Sequence, residues 1–159
     1  MEKNNYIQIL EQDLKKKNQI LDAIIQINQV QKDALEEPNL DPDDFDEIVE
    51  EKGKLIESLE HLDRGFEQIY ARVREELMDN KEAYREEIKR MQEAIRQITD
   101  KTATIQADEQ RNKALMSQKF ASVKQQLREI RSSQKVVNQY YQNMMKSKFM
   151  TPQFLDDKK

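Results

Sequence analysis

The chain contains no cysteine. That excludes a disulfide framework and any thiolate metal site, and it makes a cytosolic location the simplest expectation. Among its 159 residues there are only two glycines and three prolines. Sheet proteins spend glycine and proline on turns. A chain poor in both, yet rich in Glu, Lys, Gln, Leu and Ile, reads as a few long helices. No apolar run approaches the roughly 20 residues of a membrane span. Met1 to Asn5 lacks the charged-then-apolar order of a secretory signal. The single histidine, His61, has Glu57 and Glu60 nearby but no set of partners at ligand spacing, so it reads as a surface or boundary residue. No glycine-rich loop precedes a helix, which removes the usual phosphate cradle. The carboxylates are spread over solvated helices. The expectation is a soluble protein that is not an enzyme, with no cofactor, no metal and no small-molecule substrate.

Charge fills the space these absences leave. Charged residues make up 36% of the chain and hydrophobic residues also 36%, below the usual share of a globular domain. Mean hydropathy is -1.00. An elongated bundle, with a thin core and much surface, accounts for that deficit. The net charge of -4 hides an asymmetry. Glu36 to Glu60 carries eleven acidic residues against Lys52 and Lys54, whereas Arg111 to Met150 carries nine basic residues against Glu129 alone. The acidic stretch reads first as a solvated face with a helix start in it, and second as a docking site.

The periodicity predicts three helices, over about 4–36, 42–77 and 80–115. In the first, Ile7, Leu10, Leu14, Leu21, Ile24, Asn28, Gln31 and Leu35 fall at heptad-like spacing, with Lys17 interrupting. Pro38 ends it, because the residue before proline is pushed out of the α region. Asp41 is a natural cap for the second helix, with Pro42 in its first turn and Asp43 and Asp44 at the positive end of its dipole. Phe45, Val49, Leu55, Leu59, Leu62, Phe66, Ile69, Val73 and Leu77 then step by three or four, and Lys52 fills one gap. Gly53 and Gly65 inside this helix mark either a close approach of helices or weak spots. Asp79 and Glu82 resemble a capping box for the third helix. Its stripe is Ile88, Met91, Ile95, Ile98, Thr102 and Ile105; it weakens through Asp108, Glu109 and Asn112 and resumes at Met116. Short connections make neighbouring helices antiparallel. The fold class is all-α: an elongated, coiled-coil-like antiparallel three-helix bundle with an extended amphipathic C-terminal helix.

Helix length singles out the rest of the chain. Helices of 33 to 36 residues span roughly 50 Å, so the third runs out of partners near residue 115. Apolar residues nevertheless continue, from Phe120 through Leu127 and Ile130 to Phe154 and Leu155. Residues 1–115 therefore read as scaffold. Residues 116–159 read as a continuation of the third helix and a mobile amphipathic segment, which folds back, pairs with another copy, or is kept for a partner. As a helix, this segment carries two adjacent ridges, Val136, Tyr140, Met144 and Val137, Tyr141, Met145, Phe149. Methionine adapts to varied apolar surfaces and tyrosine offers contact area with a water-tolerant hydroxyl. The seven residues are the expected partner-binding site, helix against helix. Against this stands the reading of the stripe as ordinary core. Folding back would give a charge-held closed form, in which the basic stretch from Arg111 to Lys148 rests on the acidic start of the second helix; the sequence leaves this open beside the other two.

The sequence resembles the FlgN-type flagellar export chaperones, in the divergent form of Gram-positive bacteria. The likeness lies in the plan of long helices with an amphipathic end. It also lies in Glu51-Lys52-Gly53-Lys54-Leu55-Ile56-Glu57-Ser58-Leu59 with Leu62-Asp63-Arg64-Gly65-Phe66-Glu67, and in Ser133-Gln134-Lys135-Val136-Val137-Asn138-Gln139-Tyr140-Tyr141 with the closing Phe154-Leu155-Asp156-Asp157-Lys158-Lys159. The resemblance implies a cytoplasmic chaperone. Such a protein binds the helical terminal region of hook–filament junction proteins, prevents their premature assembly and delivers them to the type III export apparatus. It maps substrate binding onto Val136 to Met145, and contact with an export-gate component onto Tyr140 or Tyr141; any membrane contact is indirect. The oligomeric state stays open between monomer and homodimer. The competing readings are a structural coiled-coil protein that self-associates through its C-terminal stripe and, more weakly, a helical protein associated with nucleic acid through its basic stretch.

Overall fold

The structure is a computed structural model; it describes residues 2–119 and Ala121. Three helices follow one another: α1 over Glu2–Leu35, α2 over Pro42–Asp79 and α3 over Arg85–Lys119. They form an up-down-up bundle in which α1 runs close to both other helices, while the backbones of α2 and α3 stand further apart. At 34 to 38 residues each, the helices are roughly 50 to 57 Å long.

The ends form as local chemistry requires. The last turn of α1 tightens through Glu37 N donating to Ala34 O at 3.1 Å before Pro38 stops the helix. Asp41 caps α2, its Oδ1 accepting from Asp43 N at 3.0 Å. The second connection differs from the expected capping box. Asp79 is the last residue of α2 rather than a cap, and Asn80 closes that helix with both its backbone N–H and its Nδ2 on Glu76 O, at 3.1 and 2.9 Å. Glu82 pairs with Arg85 at 3.0 Å. A turn over 80–84 precedes α3, which starts at Arg85 instead of Asn80. Tyr84 braces the turn, its hydroxyl donating to Glu76 Oε2 at 3.2 Å. An asparagine that satisfies a helix C-terminus outcompetes an aspartate five residues too early to cap the next one.

The core follows a heptad that is unbroken from Ile7 to Leu35 in α1 and from Met91 to Met116 in α3. In α1 every a and d position from Ile7 to Leu35 is buried, Lys17, Asn28 and Gln31 included. In α3 the buried positions run Met91, Ile95, Ile98, Thr102, Ile105, Glu109, Asn112 and Met116. In α2 they are Phe45, Lys52, Ile56, Leu59, Phe66, Val73 and Leu77. Here the structure corrects the expected stripe. Ile56 is core, whereas Leu55, Leu62 and Ile69 are only half-buried beside it. The strict step from Phe45 passes through positions 56 and 63, and Asp63 at the second disguises that register. Each fully buried Leu, Ile or Phe contributes about 1.5 to 3 kcal/mol.

Gly53 and Gly65 are weak spots, not close approaches: a Cβ at either would meet nothing within 4 Å. Gly53→Ala and Gly65→Ala should each stabilise the protein by about 0.5 to 1 kcal/mol. Urea midpoints at unchanged slope will show it. A loss of stability at either position would mean that a Cβ there is not free.

Candidate functional site

The seven residues expected to bind a partner, Val136, Val137, Tyr140, Tyr141, Met144, Met145 and Phe149, lie outside the described residues. What the structure describes is the body that carries them, and its least ordinary feature is inside.

Five polar side chains from all three helices meet in one buried layer. Lys52 Nζ of α2 donates to Glu109 Oε1 and Oε2 of α3 at 2.9 and 2.8 Å, to Asn28 Oδ1 at 2.9 Å and to Gln31 Oε1 at 2.7 Å. Asn112 Nδ2 donates to Asn28 O and to Gln31 Oε1, both at 3.0 Å. Lys52, Asn28, Gln31 and Asn112 are wholly inaccessible and Glu109 is 3% exposed. Burial pushes the Lys52 ammonium below the ordinary lysine range, and the Glu109 carboxylate opposes that push by charge and hydrogen bond. An ion pair sealed in this way has no access to a substrate. The alignment of the three helices brings the ammonium to four acceptor atoms at once, which is the geometry a register-setting role requires.

The layer divides the core. On one side the main cluster runs from Ile7 and Leu77 to Ile24 and Ile105. On the other a small apex cluster joins Leu35, Phe45 and Met116, with Leu40, Val49 and Leu115 against it. Met116 thus packs at the level where α1 ends and α2 begins. A second buried cation, Lys17, is held by Asp63 at 3.0 Å. Burial moves Lys17 down and Asp63 up, and each charge resists the shift of the other.

None of these polar residues was expected to act together from the sequence. Asn28 and Gln31 looked like members of a stripe, Lys52 like a filler, and Glu109 and Asn112 like a weakening. The signal was present: all five occupy a or d positions, with 28 and 31 beside 109 and 112 on the parallel helices α1 and α3 and 52 at the matching level of the antiparallel α2.

The outside of α2 near the apex is acidic. Asp43, Asp44, Asp46, Glu47, Glu50, Glu51 and Glu57 are exposed and form no ion pair among the described residues. His61 is exposed as well. Among the described residues no three His, Asp or Glu side chains are grouped to hold a metal ion, and no helix is long and apolar enough to cross a membrane.

The chain matches the family model described as FlgN protein over residues 1–146. The chain belongs to the FlgN family. Membership brings the general role of the family, that of a flagellar export chaperone, which is a protein-binding and not a catalytic role. The FlgN match passes beyond the bundle, takes in Val136 to Met145 and stops short of Phe149. No curated protein and no solved structure matches the chain.

Proposed function

We propose that this FlgN-family protein is the cytoplasmic chaperone of hook–filament junction proteins. It holds their helical terminal region through Val136, Val137, Tyr140, Tyr141, Met144, Met145 and Phe149, and it delivers them to the type III export apparatus. The observation that carries this reading is the family match, which extends through residue 146 and so includes six of these seven positions. The apex geometry supports it. Met116 already packs with Leu35 and Phe45 where α1 and α2 end their common length, yet the apolar sequence continues well past it. The scaffold then runs through the end of α3, past the expected boundary at residue 115, and the residues after Lys119 are the working segment.

The mechanism is one of temporary cover. Junction proteins assemble through apolar helical ends, which must stay unpaired until export. A Met- and Tyr-rich helix offers them an adaptable substitute surface. Ordering that helix on binding costs entropy, which holds affinity to a level that still permits release. Tyr140 or Tyr141, besides holding the partner, is the contact proposed for the export gate.

Co-purification of the full chain against a panel of flagellar export substrates tests the reading. Capture of the junction proteins, and its loss when Ser132 to Lys159 is removed, is the expected result. Capture that survives the truncation moves the site onto the bundle; capture of no substrate removes the proposed partner.

A further inference from the structure

We infer that the outer seam between α1 and α2 is a docking surface, and that its occupant in the partner-free protein is this chain's own segment 120–159. The two flanks of α1 are fixed by their contacts. Glu11 and Asp22 reach α3 through Arg90 and Lys101, both at 3.0 Å, and Asn18 Nδ2 donates to Ala94 O at 3.3 Å. Tyr6 turns the other way, its hydroxyl accepting from Arg72 of α2 at 3.1 Å with the guanidinium 5.7 Å from its ring centre. Asp13, Ile20, Ile27 and Ala34 repeat at sevens from Tyr6 and share its flank, which is apolar from Ile20 to Ala34, with Val30 one position further out. On α2 the residues that repeat from Arg72 are Gly65, Ser58, Glu51 and Asp44, with Ile48, Leu55 and Leu62 on their inner side.

The seam is therefore apolar along its floor. Ile20 and Leu55 rest partly on the main core. Ile27, Ile48 and Leu62 are half-buried, and Val30 is 42% exposed. Its α2 rim is acidic: Asp44, Glu47 and Glu51 are exposed without an ion pair among the described residues. Lys52, one of only two bases between Glu36 and Glu60, is sealed inside with Glu109, so that its charge does nothing to relieve this rim.

The segment after α3 has the complementary chemistry. Between Phe120 and Met150 it carries Lys124, Arg128, Arg131, Lys135, Lys146 and Lys148 against Glu129. Along the chain Lys124, Arg128, Arg131 and Lys135 precede Val136, Tyr140, Met144 and Val137, Tyr141, Met145, and Lys146 and Lys148 follow them. Reach is also right. α3 ends at Lys119, whose Nζ donates to Glu37 O beside the α1–α2 connection. The forty residues after Lys119 start at the apex end of the seam. A helical return from the level of Ala34 to that of Ile20 needs only roughly 21 Å, or fourteen residues. The closed state covers the partner-binding ridges with the seam, and a partner must displace them. Only that displacement rests on the chaperone reading; the docking does not.

The absence of cysteine makes a clean test possible. A nitroxide attached at Gln139→Cys in the full chain should broaden the amide signals of Ile20, Ile27, Val30 and Leu55 and leave Gln97 on the α3 side sharp. The broadening should vanish in Val30→Asp with Glu51→Lys, two exposed positions whose replacement leaves the core intact, and weaken at high salt. Absent broadening of the seam, or broadening that survives the double substitution, overturns the inference. So does broadening that appears equally when spin-labelled and isotope-enriched chains are different molecules, which would make a second copy the occupant. Seam broadening together with failure to capture any export substrate would keep the docking and reject the partner.

Discussion

Glu109→Leu alone should destabilise the protein by about 3 to 5 kcal/mol, because it leaves the Lys52 ammonium buried without a counter-charge. Lys52→Met should cost a similar amount from the other side, stranding the Glu109 carboxylate. The double substitution should be milder than either single one, since an apolar pair of similar volume removes both desolvation penalties together. Equilibrium urea unfolding of the four proteins measures the coupling. Additive losses would mean that the two charges do not depend on each other, against their contacts at 2.8 and 2.9 Å.

The same cycle reveals what the layer is for. Asn28 Nδ2 and Gln31 Nε2 find no hydrogen-bond partner among the described residues, so the layer is costly compared with an apolar one. Replacing Asn28, Gln31, Lys52, Glu109 and Asn112 together by Leu or Met should raise the unfolding midpoint. It should also loosen the alignment of the helices, seen as broadened spectra or mixed oligomers in sedimentation. A bundle that stays monodisperse and sharply folded would reject the register role.

Tyr141→Asp with Met145→Asp should abolish capture of a junction protein while leaving the unfolding midpoint of the bundle unchanged. Anchors of this kind cost about 2 kcal/mol or more when lost, roughly a thirtyfold fall in affinity for each. Calorimetry of the full-length variant against the captured partner reads it. Undiminished affinity at a preserved fold would move the site elsewhere on the chain. Both positions lie within the span matched by the family, which makes them a sharper test than Phe149.

The extent of the fold was open to reading because its signals are local. Pro38, Asp41 and Pro42 place the first connection from side-chain chemistry within a few residues. The heptad of α1 could be followed through Lys17 because apolar residues on both sides keep its phase. In α2 it could not, because Leu55 and Leu62 offer a rival stripe one position away from Ile56 and Asp63. The second connection was misplaced by a similar competition: Asp79 is a good cap, but Asn80 and Tyr84 bind Glu76 and keep Asp79 as the last residue of α2.

The sequence by itself determined that this chain is three long helices and, through its resemblance, the family to which it belongs. These follow from periodicity, turn chemistry and composition, which act over a few residues at a time. Tertiary structure alone decided which polar residues are inside and which apolar ones are left outside. Lys52 and Glu109 stand 57 positions apart in the chain, and Val30 is apolar yet exposed. Burial is a property of what packs opposite a residue, and no local pattern carries the identity of that neighbour.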